Sequence, residues 1–145
     1  MSEERLAVPD VNVLVALTNP SHVFHQESHR WLRGVLRYAT TPVTETGLLR
    51  LLLNPAVTGQ PVTAQQALGI LSGIRADPRS EFLVDDTSLA DAVVDTTGIA
   101  GLQQLTDWHL LNLATRHDGL LITFDRKIAR SVLPADAGRI VTLSG

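Results

Sequence analysis

The 145-residue sequence contains no cysteine, and that single absence removes disulfide scaffolds, thiolate zinc sites and cysteine nucleophiles. It holds only one lysine, Lys127, among twelve basic residues, and with one Tyr and two Trp it has few aromatic platforms for a sugar. No apolar run approaches the roughly 18 residues needed to span a bilayer, and the opening MSEERLAVPD is acidic where a secretory signal is basic. A soluble, cytoplasmic protein without a membrane association is the expectation. G-x-S-x-G elbows and glycine-rich phosphate loops are absent too, so serine-nucleophile and nucleotide-cradle readings find no support. Fifteen acidic residues give a formal charge of -3, which repels nucleic acid unless basic groups cluster or cations intervene.

What is present is 44% hydrophobic sequence, enough for one domain over 1–145, arranged as short apolar runs alternating with helical periodicity. Leu6 to Pro9 reads as a strand, a turn follows at Pro9-Asp10, and VNVLVALT continues as a helix. His22 to Tyr38 reads as one helix capped by Ser21, with Phe24, Trp31, Leu32, Val35 and Tyr38 on one side. TTPVT (40–44) reads as a strand, with a helix from Glu45 to Leu53 and another over Thr63 to Ala76. Glu81 to Val84 is a third strand, and Ser88 to Val94 has helical character. Thr106 caps a helix through His117, Gly119 to Phe124 is a fourth strand, Asp125 to Val132 is helical, and Ile140 to Leu143 is the last strand. The pattern predicts an α/β fold with a mainly parallel sheet covered on both faces, whose ligands bind beyond the carboxyl ends of the strands.

Acids fall at that end. Asp10 follows the first strand, Glu45 the second and Asp125 the fourth, while Asp107 lies in the first turn of the helix before the fourth. Each alone is an ordinary helix-capping acid. Together, four converging carboxylates raise each other's pKa, which implies bound hard cations, and oxygen-only ligation selects Mg²⁺ or Mn²⁺. Such an ion supplies the chemistry of phosphodiester hydrolysis.

The order DVNVLVAL, TET, TDWHLLNLA and ITFDRKIA resembles the PIN domain, and within it the VapC toxins of bacterial toxin-antitoxin pairs, from Leu6 to about Leu143. SHVFHQESHRW resembles a tract found in a subset of these toxins. The resemblance places the family's acidic quartet on Asp10, Glu45, Asp107 and Asp125, its polar residue two after the first acid on Asn12, and its hydroxyl two before the last on Thr123. It implies five parallel strands, a homodimer, a Mg²⁺- or Mn²⁺-dependent endoribonuclease acting on tRNA, rRNA or mRNA, and a cognate antitoxin protein. The alternative is a PIN-like scaffold that binds RNA or protein without cutting, against which the intact quartet argues.

Arg126, Lys127 and Arg130 follow Asp125 closely enough to touch an RNA strand. At helical spacing His22, His25 and His29 share a face, read as a partner surface rather than a metal site, and Arg30, Arg33 and Arg37 form a stripe beside it. Asp85-Asp86 is expected to be a solvated turn. A response-regulator receiver is excluded because no lysine follows the last strand.

Overall fold

In the computed structural model, which describes residues 5–102 and 104–144, β1 (Ala7–Pro9) is the middle strand of five. The others are β2 (Tyr38–Thr40), β3 (Ser80–Phe82), β4 (Leu120–Thr123) and β5 (Ile140–Thr142), in the order β3-β2-β1-β4-β5, and every pairing is parallel. The expected α/β architecture and its five parallel strands are therefore present.

The strands alternate their side chains between two cores, as a sheet covered on both faces must. Leu6, Val8 and Ala39 pack with Ala114 of α6 (Leu105–Arg116). Ala7, Tyr38 and Ile122 turn the other way, toward Val13 of α1 (Val11–Thr18) and Trp31 and Leu32 of α2 (His25–Gly34). Beside the sheet, Leu14 and Val15 of α1 join Leu48 and Leu52 of α3 (Pro42–Leu52) and Ala67 and Leu71 of α5 (Ala64–Ala76) in a helical lobe. Gly47 sets how closely α3 and α1 approach, because a Cβ there would stand 2.6 Å from Val11 Cγ2. The short helices α4 (Pro55–Thr58), α7 (Arg126–Ser131) and α8 (Pro134–Ala137) complete the chain. Among the described residues no helix is long and apolar enough to cross a membrane.

Several sequence readings are corrected. The second strand is Tyr38–Thr40 rather than 40–44, because Thr41 and Pro42 start a helix: Thr41 and Thr44 close a reciprocal capping box and Pro42 sits where its missing N–H costs nothing. The helix expected over His22 to Tyr38 covers only His25–Gly34, has no side-chain cap at Ser21, and leaves Tyr38 to β2. His22 is thus off the helix. His25 Nδ1 and His29 Nε2 bond the carbonyls of Ala16 and Leu17 at 2.7 and 2.8 Å, so these rings tie α2 to the end of α1 instead of forming a free face. The arginine stripe is broken as well, since Arg37 lies beyond α2 and grips Glu81 through two bonds of 2.7 and 3.0 Å. Only a single 3-10 turn, Leu89–Asp91, forms between Ser88 and Val94. α6 starts at Leu105 with Gln104 in the cap position, so Thr106 is its second residue and not its cap. The solvated turn expected at Asp85-Asp86 holds only for the exposed Asp86, which pairs with His117 and Arg116, while Asp85 is half-buried with its Oδ2 2.5 Å from His109 Nε2.

Candidate active site

The strand order reverses direction between β1 and β4, which opens a crevice at their carboxyl ends. Asp10 closes β1 and caps α1, its Oδ1 accepting from the Val13 amide at 3.0 Å. The register that sets Pro9 beside Ile122 brings Thr123 next to Asp10. Thr123 Oγ1 donates to Asp10 Oδ2 at 2.5 Å and accepts from the Asp125 amide at 3.0 Å, so one buried hydroxyl couples the two strand ends. Asp125 in turn caps α7, accepting from the Lys127 amide at 2.8 Å. Both acids are helix caps, and both also face the crevice.

Asp107 reaches the same crevice from the first turn of α6. Burial, then the neighbouring charges of Asp10 and Asp125, push its carboxyl up to about 7. Burial also raises Asp10, which is 3% exposed, against the opposing hydrogen bonds from Thr123 and Val13; Asp125 adds to the rise. The three aspartates line a cleft of about 630 Å³ with the exposed Asn12, Thr46, Arg50 and Thr106. They edge it without closing on one point: among the described residues no three His, Asp or Glu side chains are grouped to hold an ion as they stand.

This electrostatic strain has a measurable consequence. Asp107 carries a carboxyl whose folded-state pKa lies above its ordinary 3.8, so folding favours its protonated form and stability falls as pH rises from about 4 to about 7. With chelator present, Asp107→Asn is expected to melt above the wild type at pH 8, with the gain shrinking on acidification and gone near pH 4. A variant that melts lower at every pH would show that Asp107 serves only the helix.

Glu45 is placed differently. Its Oε2 accepts from Thr40 Oγ1 at 2.6 Å and lies 3.7 Å from Arg75 Nε, and its side chain is not among those lining the cleft. Helix geometry accounts for this. Pro42, Val43, Thr46, Gly47, Arg50 and Leu51 form the cleft-facing stripe of α3, and at ~100° per residue Glu45 stands about 150° round from its centre. The structure therefore gathers Asp10, Asp107 and Asp125, with Asn12 and Thr123, and sets Glu45 on the side of α3 turned from the cleft-lining stripe. Of the three cations expected near Asp125, Lys127 lines an adjoining cleft, while Arg126 and Arg130 are exposed on α7.

No family model matches the chain. It is 41% identical over 122 residues to Ribonuclease VapC38 of Mycobacterium tuberculosis, covering 83% of this chain and 85% of the relative. Ribonuclease VapC39 of the same species is 36% identical over 140 residues, 94% of this chain and 99% of its own length. The chain belongs to the VapC family. A third relative, Ribonuclease VapC44 of that species, is 33% identical over 131 residues, or 88% and 92% of the two chains.

Sequence reasoning did not assign Arg50 or Thr46 to this VapC-family cleft, read Thr106 only as a helix cap, and did not place Arg75 beside Glu45. The signal for the first two was the spacing of four between Thr46 and Arg50 on one helix, which puts both on one face. Arg75 carried no such signal, because α5 meets α3 only through tertiary packing.

Proposed function

We propose that the protein is the toxin component of a toxin-antitoxin pair, an endoribonuclease whose reacting site is the cleft of Asp10, Asp107 and Asp125, with a divalent cation, Mg²⁺ or Mn²⁺, as cofactor. Membership of a ribonuclease family supports the nuclease activity. The observation that carries the site is the arrival of three carboxylates from two strand ends and one helix at a single crevice, where burial and then the charges of Asp10 and Asp125 push the Asp107 carboxyl up to about 7.

The donor set fits a hard cation. All the candidate donors are oxygen, three carboxylates with the amide oxygen of Asn12, and cysteine is absent. Repulsion among the acids is the energy that a cation would relieve. When bound, the ion supplies a water activated near neutral pH and charge that stabilises the phosphoryl oxygens as they become more negative.

The remaining roles belong to the chain. Asp10, Asp107 and Asp125 would hold the ion. Thr123 fixes Asp10 and the Asp125 backbone in one geometry through its two hydrogen bonds. Asn12 offers a polar group at the cleft's edge. Glu45, anchored by Thr40 and set near Arg75, completes the quartet from outside the cleft lining and acts on the site indirectly. Lys127, with Arg126 and Arg130 on the same short helix, provides positive charge for the RNA strand. The proposal includes single-stranded loops of tRNA, rRNA or mRNA as substrates, a cognate antitoxin protein, and a homodimer.

Incubating the purified protein with total RNA in millimolar Mg²⁺ or Mn²⁺ is expected to produce discrete new 5′ ends that excess chelator abolishes. RNA left intact in both metals, or cut equally in chelator, overturns the reading.

A further inference from the structure

Two clefts meet at Asp125. The acid cleft extends from it to Arg50 in the last turn of α3, and a second, of about 660 Å³, extends to Gly101, Leu102, Gln104 and Lys127. Arg50 shares its cleft with three carboxylates, yet it makes no hydrogen bond or ion pair among the described residues. Arg37 grips Glu81, Arg79 grips Asp77, and Arg139 and Arg5 share Asp118; Arg30, Arg33, Arg126 and Arg130 are unpaired among the described residues as Arg50 is, but of these five only Arg50 lines the cleft of the three aspartates. Arg75 lies over the Phe82 ring, 3.7 Å from Glu45. An exposed guanidinium left unpaired beside acids has its planar fork free for another anion.

We infer that Arg50 is a phosphate clamp: a single-stranded RNA crosses the two clefts, one backbone phosphate held by the Arg50 fork on the α3 side and the chain leaving past Lys127 on the other. The inference rests on the ribonuclease reading and adds the path of the substrate to it. Its physical basis is charge. A polyanion entering a cleft lined by three aspartates meets their repulsion, so attraction has to come from other groups, and each of the two clefts is lined by one cation, Arg50 in the first and Lys127 in the second. Arginine on the α3 side also gives geometry, because two parallel N–H bonds fix the orientation of a phosphate where a lysine fixes only its distance. Arg50 therefore acts as a positioning residue for the strand and takes no part in proton transfer.

The test separates binding from cutting. An Asp10→Asn protein, in chelator, is titrated with an unstructured oligouridylate over a range of salt concentrations. Adding Arg50→Gln is expected to weaken binding several-fold at low salt and to flatten the dependence of log affinity on log salt by roughly 0.7, the loss of one single-strand phosphate contact. Arg50→Lys, which keeps the charge, retains the slope. Arg30→Gln, the same charge change in a separate groove under α2, leaves both affinity and slope as they were. In protein with Asp10 intact, Arg50→Gln raises KM for RNA cleavage with kcat largely kept, as expected when uniform binding is removed. An unchanged slope in Arg50→Gln, or an equal flattening in Arg30→Gln, overturns the clamp while a cleaving wild type leaves the nuclease reading in place. A wild type that cuts no RNA in either metal overturns the reading itself.

Discussion

Replacing Asp10, Asp107 or Asp125 by Asn is expected to lower the rate of RNA cleavage at least about 100-fold in each case, with the fold intact by circular dichroism. Asn keeps the size of the side chain and can still accept the helix-cap bonds that Asp10 and Asp125 receive from Val13 and Lys127. What it removes is charge, which a cation site needs and a helix cap does not. Glu45→Gln is expected to cost less, roughly 10–100-fold, the range for a group that acts on an ion through others. Its carboxylate meets Thr40 and approaches Arg75 instead of lining the cleft. Initial rates in saturating Mn²⁺ decide both points. An Asp variant that keeps a tenth of the activity would remove that residue from the ion site, and a Glu45→Gln loss equal to the others would mean that its side chain leaves Arg75 during turnover.

Gly98→Ala is expected to be the most damaging of the small substitutions, by about 3 kcal/mol. A Cβ at Gly98 would run into the carbonyl oxygen of Ser131 at the end of α7, with Trp108 close on another side. The obstacle is backbone, so no rotamer change relieves it. The loop that carries Gly98 is fixed elsewhere too, by Val93 N bonded to Asn112 Oδ1 at 2.8 Å and Asp95 N bonded to Asp136 Oδ2 at 3.1 Å. Taking about 2–4 °C per kcal/mol for a chain of this size, the melting temperature should fall by roughly 6–12 °C. Gly73→Ala is the control with the opposite sign. In mid-α5 its Cβ meets nothing within 4 Å, and Ala in a helix interior is favoured over Gly by up to about 1 kcal/mol. Equal melting of the two variants would contradict the packing described here.

Where local pattern and tertiary structure agree, the sequence was readable. The change from a continuous apolar run to helical spacing at Pro9-Asp10, and again at Phe124-Asp125, marks the two strand ends that carry Asp10 and Asp125. Errors arose where one pattern served two purposes. Trp31, Leu32, Val35 and Tyr38 hold a helical period across Gly34, but all four pack on one face of the sheet, three of them from α2 and its end and one from a strand. Thr40, Thr41 and Val43 are β-formers by composition, and the capping box at Thr41 with Pro42 behind it overrides that preference. Glu45 was legible as an acid near a strand end, whereas its direction depended on a helix start three residues before the expected place. Gly98 lies between the elements legible in the sequence, and only the position of α7 reveals why no side chain fits there.

The Thr123 hydroxyl that bonds Asp10 joins residues 113 apart in the chain. Because β1 is completed by β4, the cleft draws on residues from Asp10 through α3 and α6 to Asp125, and no contiguous fragment lacking either end of that span contains it. Long-range parallel pairings of this kind form late in folding. A nascent chain of this protein therefore lacks the complete cleft until β4 and Asp125 have emerged from the ribosome and docked against β1.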